Sequence, residues 1–347
     1  MKTVKIKASK SYSVLIGENL INSLPKHFQK AKIGGKLLII TDEKVNSFYG
    51  DKVLDILTFA GYNVQKYVVS GGEKSKSGKV YLEILDYLAQ NEYTRKDTIV
   101  ALGGGVVGDL AGFVSATYLR GINFVQIPTT LLAFADSSVG GKTAINLKSG
   151  KNLVGAFYQP KLVVCDISLI KTLDKKDYAS GMAEIIKYGM IFDKKLLELI
   201  KNGMEENAEE IIFKCVALKK RVVQKDEKDN GVRGLLNFGH TLGHAVEKCS
   251  GFRVAHGKAV AIGMSIITET CVRKGLIESE VLNTLTELLV QYGLPTKTDI
   301  PLETLMEATM LDKKRKGGII TAVIPKKMGK CILKDFTIES WKDFILN

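Results

Sequence analysis

Three of the chain's four histidines fall between residues 240 and 256. His240 and His244 are spaced i,i+4, so on a helix they project from one face. Asn237 lies three residues before His240, and Arg233 four before Asn237. With about 3.6 residues per turn, Arg233, Asn237, His240 and His244 form one polar stripe, roughly extended by Glu247. A polar stripe on an apolar helix is ordinarily its solvent face. The solvent faces of this chain, however, are rich in lysine and glutamate, whereas this stripe carries Arg, Asn and two His. Histidines at this spacing suit zinc, and a catalytic centre needs a third protein ligand and an open position. His256 or an acidic residue supplies the third. The metalloprotease pattern H-E-x-x-H is not met, because Thr241 stands where the glutamate base would be.

A second feature is Gly103-Gly104-Gly105-Val106-Val107-Gly108, which satisfies G-x-G-x-x-G between an expected strand and an expected helix. Glycines there let a pyrophosphate approach the backbone amides of a helix N-terminus. A ligand-free strand-to-helix turn reads the same way, and the context favours dinucleotide binding. The next strand ends at Pro128-Thr129-Thr130 with no acidic residue for a ribose hydroxyl. Asp42, at the end of an earlier strand, can take that role. The cluster Val139-Gly140-Gly141-Lys142-Thr143 is not a P-loop, because Asp136 stands where the Walker spacing needs its first glycine. Lys142 beside two glycines either points at a phosphate or is an exposed loop lysine.

The elements that must position these residues follow from periodicity. Strands are expected at 36–41, 63–69, 97–102 and 123–127, with helices over 44–60 and 75–90 between them. This rhythm predicts an α/β fold with a mostly parallel sheet. After about residue 166 helical periods dominate, at 174–192, 194–226, 234–250, 256–274, 278–292 and 301–313. Only 319–324 and 330–333 look strand-like there. The expected organisation is a Rossmann-like nucleotide-binding domain over 1–160 and a mainly α-helical metal- and substrate-binding domain over 161–347, with the active site in a cleft between them.

The bulk numbers are ordinary for a soluble globular chain: 347 residues, 45% hydrophobic and 25% charged. No apolar run approaches a membrane span, and the alternating N-terminus reads as a strand and not a signal peptide. Five cysteines without a C-x-x-C pair fit a reducing cytoplasm. The net charge of +13 is spread along the chain with no arginine-rich arm. It therefore points to an anionic small molecule or a basic surface, and not to nucleic acid.

The segment from Arg233 to His244, with His256-Gly257 beyond it, resembles the 3-dehydroquinate synthase family of sugar phosphate cyclases. So do Gly103 to Asp109, Pro128 to Leu132, Asp136 to Thr143, Lys151-Asn152 and Ala183-Glu184-Ile-Ile-Lys187-Tyr188-Gly189. The motifs run in the family's order from about Asp42 to Lys314. The resemblance implies that Glu184, His240 and His256 hold a divalent metal, zinc or else cobalt, and that His244 contacts phosphate and relays protons. It implies an NAD site at Asp42, Glu73, Lys76, Gly104, Gly105, Asp109, Thr129, Thr130, Lys142, Lys151 and Thr172. It places Arg120, Asp136, Lys142, Asn152, Lys187, Lys219, Arg233, Asn237 and a lysine of Lys313-Lys314, taken as Lys314, at substrate positions. Asp229 stands where the family commonly has a proton-transfer glutamate, one methylene longer. The implied reaction converts 3-deoxy-D-arabino-heptulosonate 7-phosphate to 3-dehydroquinate and phosphate, in a cytoplasmic homodimer with no nucleic-acid or membrane partner. Other sugar phosphate cyclases and the metal-dependent alcohol dehydrogenases are the neighbouring alternatives.

Overall fold

Leu37–Asp42 (β3) and Thr98–Gly103 (β5) are nearly unbroken apolar runs, and every residue of both except Asp42 is buried. Strands covered on both faces need such runs. The computed structural model describes residues 1–314 and 318–347, without the side chains of 311–314. Its chain divides into two units, Met1–Leu173 with Lys219–Lys228, and Asp174–Leu218 with Asp229–Asn347. The first unit thus takes in a strand and a helix end that lie beyond the 1–160 expected from sequence.

In the first unit the elements run β1 (Lys2–Lys7), β2 (Ser11–Gly17), α1 (Leu24–Lys30), β3, α2 (Glu43–Val45), α3 (Asp51–Phe59), β4 (Val64–Val69), α4 (Gly78–Gln90) and β5. They continue with α5 (Gly105–Thr117), β6 (Asn123–Pro128), β7 (Lys142–Leu147), β8 (Gly150–Phe157) and β9 (Leu162–Asp166). Seven strands form one sheet in the order β1-β2-β9-β6-β5-β3-β4. All neighbours are parallel except the edge pair β1 and β2. The chain leaves β3 toward β4 on one side and returns to β5 on the other. The strand order therefore reverses between β3 and β5, and ligands bind at the carboxyl ends of strands at such a point. Asp42 ends β3, and Gly103 ends β5.

The antiparallel hairpin of β7 and β8 was not expected from sequence. It forms a separate two-stranded sheet. Most of β8 is exposed, so it lacks the apolar alternation that would announce a half-buried strand.

The second unit holds α6 (Lys175–Phe192), α7 (Lys194–Lys201), most of α8 (Met204–Lys225), α9 (His240–Cys249), α10 (His256–Arg273), α11 (Ser279–Gln291) and α12 (Leu302–Lys314). It ends with the hairpin β10 (Ile319–Lys327) and β11 (Lys330–Thr337), followed by α13 (Ile338–Leu346). Two expectations are corrected here. The helix expected over 194–226 is divided, because α7 ends at Lys201 and Gly203 takes a φ of 106° before α8 begins at Met204. The single helix over 234–250 is broken: Val232–Asn237 is a 3-10 turn, Phe238 is extended with ψ 124°, and Gly239 is left-handed with φ 78°. Arg233 and Asn237 therefore do not share a helical stripe with His240 and His244. Periodicity missed the break because the residues on both sides keep an apolar and polar rhythm that the chain realises in two separate turns.

Candidate active site

Three glycines govern the approach of α9 to α10. A Cβ on Gly263 would lie 2.0 Å from the Gly239 carbonyl oxygen, and one on Gly239 would lie 2.7 Å from the Val260 carbonyl oxygen. A Cβ on Gly243 would lie 3.0 Å from the Ala259 carbonyl oxygen. A fourth glycine, Gly257, sets α10 against α6, since its Cβ would meet the Ser180 Cα at 2.4 Å. The Gly257 amide donates to Ser180 Oγ at 3.2 Å. Ser180 lies one helical turn before Glu184 and Gly257 directly follows His256, so this contact brings the two side chains together.

The result is a buried cluster. Glu184 Oε1 lies 3.5 Å from His240 Nε2 and 3.5 Å from His256 Nε2. Lys187, one turn along α6 and itself buried, forms an ion pair with Glu184 Oε2. Neither carboxylate oxygen of Glu184 has a hydrogen-bond partner among the described residues. A buried polar group without a partner is rare and calls for an unseen ligand or ion. The spacing fits one: a tetrahedral ion with ligand distances of about 2.0–2.1 Å sets its ligand atoms about 3.4 Å apart. The donor set of two imidazoles and one carboxylate suits zinc or cobalt, and it leaves a fourth position open.

Electrostatics follow the same geometry. Burial alone would raise the Glu184 pKa, but Lys187 first and then His240 and His256 hold the carboxyl well below its usual range. Burial takes the His240 pKa down to about 3, with Glu184 opposing only in part. His256 is also penalised by burial, but the neighbouring carboxylates of Glu184 and Glu247 outweigh this and bring it up to about 9. The two rings differ because His256 has a second carboxylate partner and is the more exposed. His244 is exposed, and its ring centroid lies 5.5 Å from that of His240 and 6.1 Å from that of His256. Arg233 is buried and Asn237 exposed, on the turn before the helix break. Asp229 has a left-handed backbone at φ 61°. Lys314 closes α12, and its side chain lies outside the described residues.

The second group of expected residues lies in the first unit. The strand register sets Gly103 beside Pro128, Gly104 lies against Thr130, and Gly105 lies against Ser137. The Thr129 amide donates to the Gly103 carbonyl at 3.0 Å. A Cβ on Gly104 would meet Thr130 Cγ2 at 2.9 Å. Helix α5 begins without a side-chain cap, so its first amides are suited to an anion. The Thr129 hydroxyl is buried with no hydrogen-bond partner among the described residues. Both observations fit a nucleotide at the strand-order reversal.

Lys76 is buried and donates to Asp109 on α5 and to Asn152 on the β7–β8 hairpin. Burial raises the Asp109 pKa, and the Lys76 ammonium opposes it. Asn146, which the sequence did not single out, ties this group together. Its amide nitrogen Nδ2 donates to Glu73 at 2.6 Å, and its Oδ1 accepts from the Asn152 backbone at 2.9 Å. Asp136, in a π-helical turn, pairs with Lys219 at 2.7 Å. Asp42 caps α2 by accepting from the Val45 amide at 3.0 Å. Thr172 is bonded to the Tyr49 hydroxyl at 2.7 Å. Lys142 and Lys151 are exposed on the hairpin, and Arg120 is exposed on a turn in which Leu119 and Arg120 both have positive φ.

The family models described as 3-dehydroquinate synthase N-terminal and C-terminal match residues 66–180 and 181–315. A 3-dehydroquinate synthase of Clostridium botulinum is 45% identical over 344 residues, covering 96% of this chain and 97% of that protein. One from Clostridium acetobutylicum is 45% identical over 342 residues, covering 96% of each. Among solved structures, 2-epi-5-epi-valiolone synthase from Streptomyces hygroscopicus, with NAD+ and Zn2+ bound, has a TM-score of 0.88 at 25% identity, covering 99% of this chain and 98% of that one. An iron-containing alcohol dehydrogenase of Thermotoga maritima has a TM-score of 0.66 at 16% identity, covering 98% and 99%, which is a likeness of fold. Two adjoining family models and relatives at 45% identity almost from end to end leave one assignment: the chain belongs to the 3-dehydroquinate synthase family.

Proposed function

We propose that this chain is a 3-dehydroquinate synthase that uses NAD and a divalent metal. The reaction converts 3-deoxy-D-arabino-heptulosonate 7-phosphate to 3-dehydroquinate and phosphate by transient oxidation, phosphate elimination, re-reduction and aldol closure. One observation carries the site: in a chain that matches this family almost throughout, Glu184 turns an unbonded carboxylate oxygen toward two imidazole nitrogens at equal distance. When bound, the metal is a Lewis acid for substrate hydroxyls and NAD a reversible hydride acceptor.

The chain's own residues do the rest. Glu184, His240 and His256 are the proposed metal ligands, and Lys187 keeps Glu184 ionised. Asp42, Glu73, Lys76, Gly104, Gly105, Asp109, Thr129, Thr130, Lys142, Lys151 and Thr172 are assigned to the nucleotide. The Lys76–Asp109–Asn152 group fixes the hairpin beside the glycine loop. Arg120, Asp136, Lys142, Asn152, Lys187, Lys219, Arg233, Asn237 and Lys314 are assigned to the substrate. Its carboxylate and phosphate are both suited to charge-assisted hydrogen bonds. Arg233 has the planar fork that grips a carboxylate through both oxygens. His244, exposed beside the proposed metal ligands, is assigned to phosphate contact and proton relay, and Asp229 is assigned as the shorter counterpart of the family's glutamate. The five free cysteines fit a cytoplasmic enzyme, and a homodimer is part of the same proposal.

Phosphate release from the heptulosonate phosphate and from glucose 6-phosphate tests the reading. A substrate without the carboxylate forfeits the two charge-assisted hydrogen bonds proposed for Arg233, each worth about 1.5–3 kcal/mol. The heptulosonate phosphate should react at least about 100-fold faster, as that loss implies. Comparable rates on both sugars would refute the assignment.

A further inference from the structure

His256 uses both of its ring nitrogens. Nε2 faces Glu184 Oε1 at 3.5 Å, and Nδ1 faces Glu247 Oε2 at 3.4 Å. Glu247 lies on α9 seven residues after His240, two turns along the same face. It is buried, an unusual place for a carboxylate. Its backbone carbonyl accepts from Ser250 Oγ at 2.9 Å and from the Phe252 amide at 2.7 Å. These bonds close the end of α9 and start the loop that returns the chain to His256.

His244, Glu247 and His256 also bring ligand atoms within 4.8 Å of one another, which raises the alternative of a second metal centre. The chemistry of one imidazole decides against it. A neutral ring has one nitrogen with a lone pair and one with a proton. If Nε2 is a ligand beside Glu184, then Nδ1 carries the proton and can only donate. Among the described residues, the acceptor within reach is Glu247. His240 solves the same problem differently, with Nδ1 against the Phe238 backbone carbonyl at 3.2 Å. One histidine of the cluster is thus held by backbone at the helix break, and the other depends on a side chain.

We propose that Glu247 is a positioning residue whose carboxylate accepts the Nδ1 proton of His256, fixes its tautomer and ring orientation, and raises its basicity toward the metal. The inference rests on the reading of Glu184, His240 and His256 as metal ligands. Partners of this kind contribute about 10- to 100-fold to metal affinity.

The test uses full-length protein stripped of metal, with zinc affinity measured against a competing chelator and the visible spectrum recorded after cobalt loading. Glu247→Ala should weaken zinc binding by about 10- to 100-fold and alter the cobalt bands. Glu247→Gln keeps the shape and a weaker acceptor, so it should lose less, though still several-fold. Circular dichroism of the metal-free proteins separates this from unfolding, and where the alanine variant does not fold, the glutamine variant decides. Either variant, folded and binding zinc within twofold of the parent with an unchanged cobalt spectrum, overturns the role of Glu247. A parent protein that binds no zinc at all overturns the metal reading instead.

Discussion

Lys187 and Glu184 place two opposite charges three residues apart inside α6, both almost wholly out of water. A buried pair of this kind gives little net stability, but removing one partner leaves a stranded charge at about 3–5 kcal/mol. A bound divalent ion would relieve that charge on Glu184. Lys187→Met should therefore destabilise the metal-free protein by about 3 kcal/mol or more, and the zinc-loaded protein by clearly less. Urea unfolding of both forms measures this, and an equal loss in the two would count against Glu184 as a ligand. The sequence made part of this legible. The histidine cluster stood out because three of four histidines crowd into one segment. Glu184 entered only through the family resemblance, because nothing about one glutamate in a helical run says that its oxygen will face residues more than fifty positions away. Spacing alone paired His240 with His244, since i,i+4 neighbours are visible in one dimension. The partnership of His240 with His256 depends on how two helices pack.

That packing belongs to the elements. Gly239, Gly243, Gly257 and Gly263 let α9, α10 and α6 approach closely enough for their ligands to converge. Gly263→Ala would press a methyl into the Gly239 carbonyl, a backbone atom that cannot swing aside. Overpacking of this sort costs about 1–3 kcal/mol, and zinc affinity should fall with it as His240 moves. Gly275→Ala is the control: its φ of 64° is strained for alanine, but nothing lies within 4 Å. It should lose stability without losing zinc affinity. Thermal unfolding and zinc titration of both variants check the pair, and equal zinc affinity in both would show that the glycine contact does not place the ligands. Spacing in the sequence assigns these glycines no such role, because the packing of one helix on another is not visible in one dimension. The strand-to-helix glycine loop at residues 103–108 was legible because its neighbours announce a strand before it and a helix after it. The β7–β8 hairpin was not, because its glycines and exposed apolar side chains, Leu153 and Phe157 among them, break the alternation of a half-buried strand.

Across the whole molecule, the alternation of strands and helices between residues 36 and 128 was legible, since buried parallel strands are unbroken apolar runs. The helical character after residue 174 was equally plain. The assignment of Lys219–Lys228 to the first unit was not, because a helix period does not say which core it packs against. The family assignment came from many motifs in order, a property of the whole chain that no single loop possesses. Its central claim is that NAD is recycled within each turnover, which separates a cyclase from the alcohol dehydrogenases that share the fold. The most direct measurement follows phosphate release and the NADH absorbance together, with the heptulosonate phosphate in large excess over NAD. The account predicts many phosphates released per NAD with no net growth of NADH. Stoichiometric accumulation of NADH, or no phosphate from metal- and NAD-loaded protein, would contradict it.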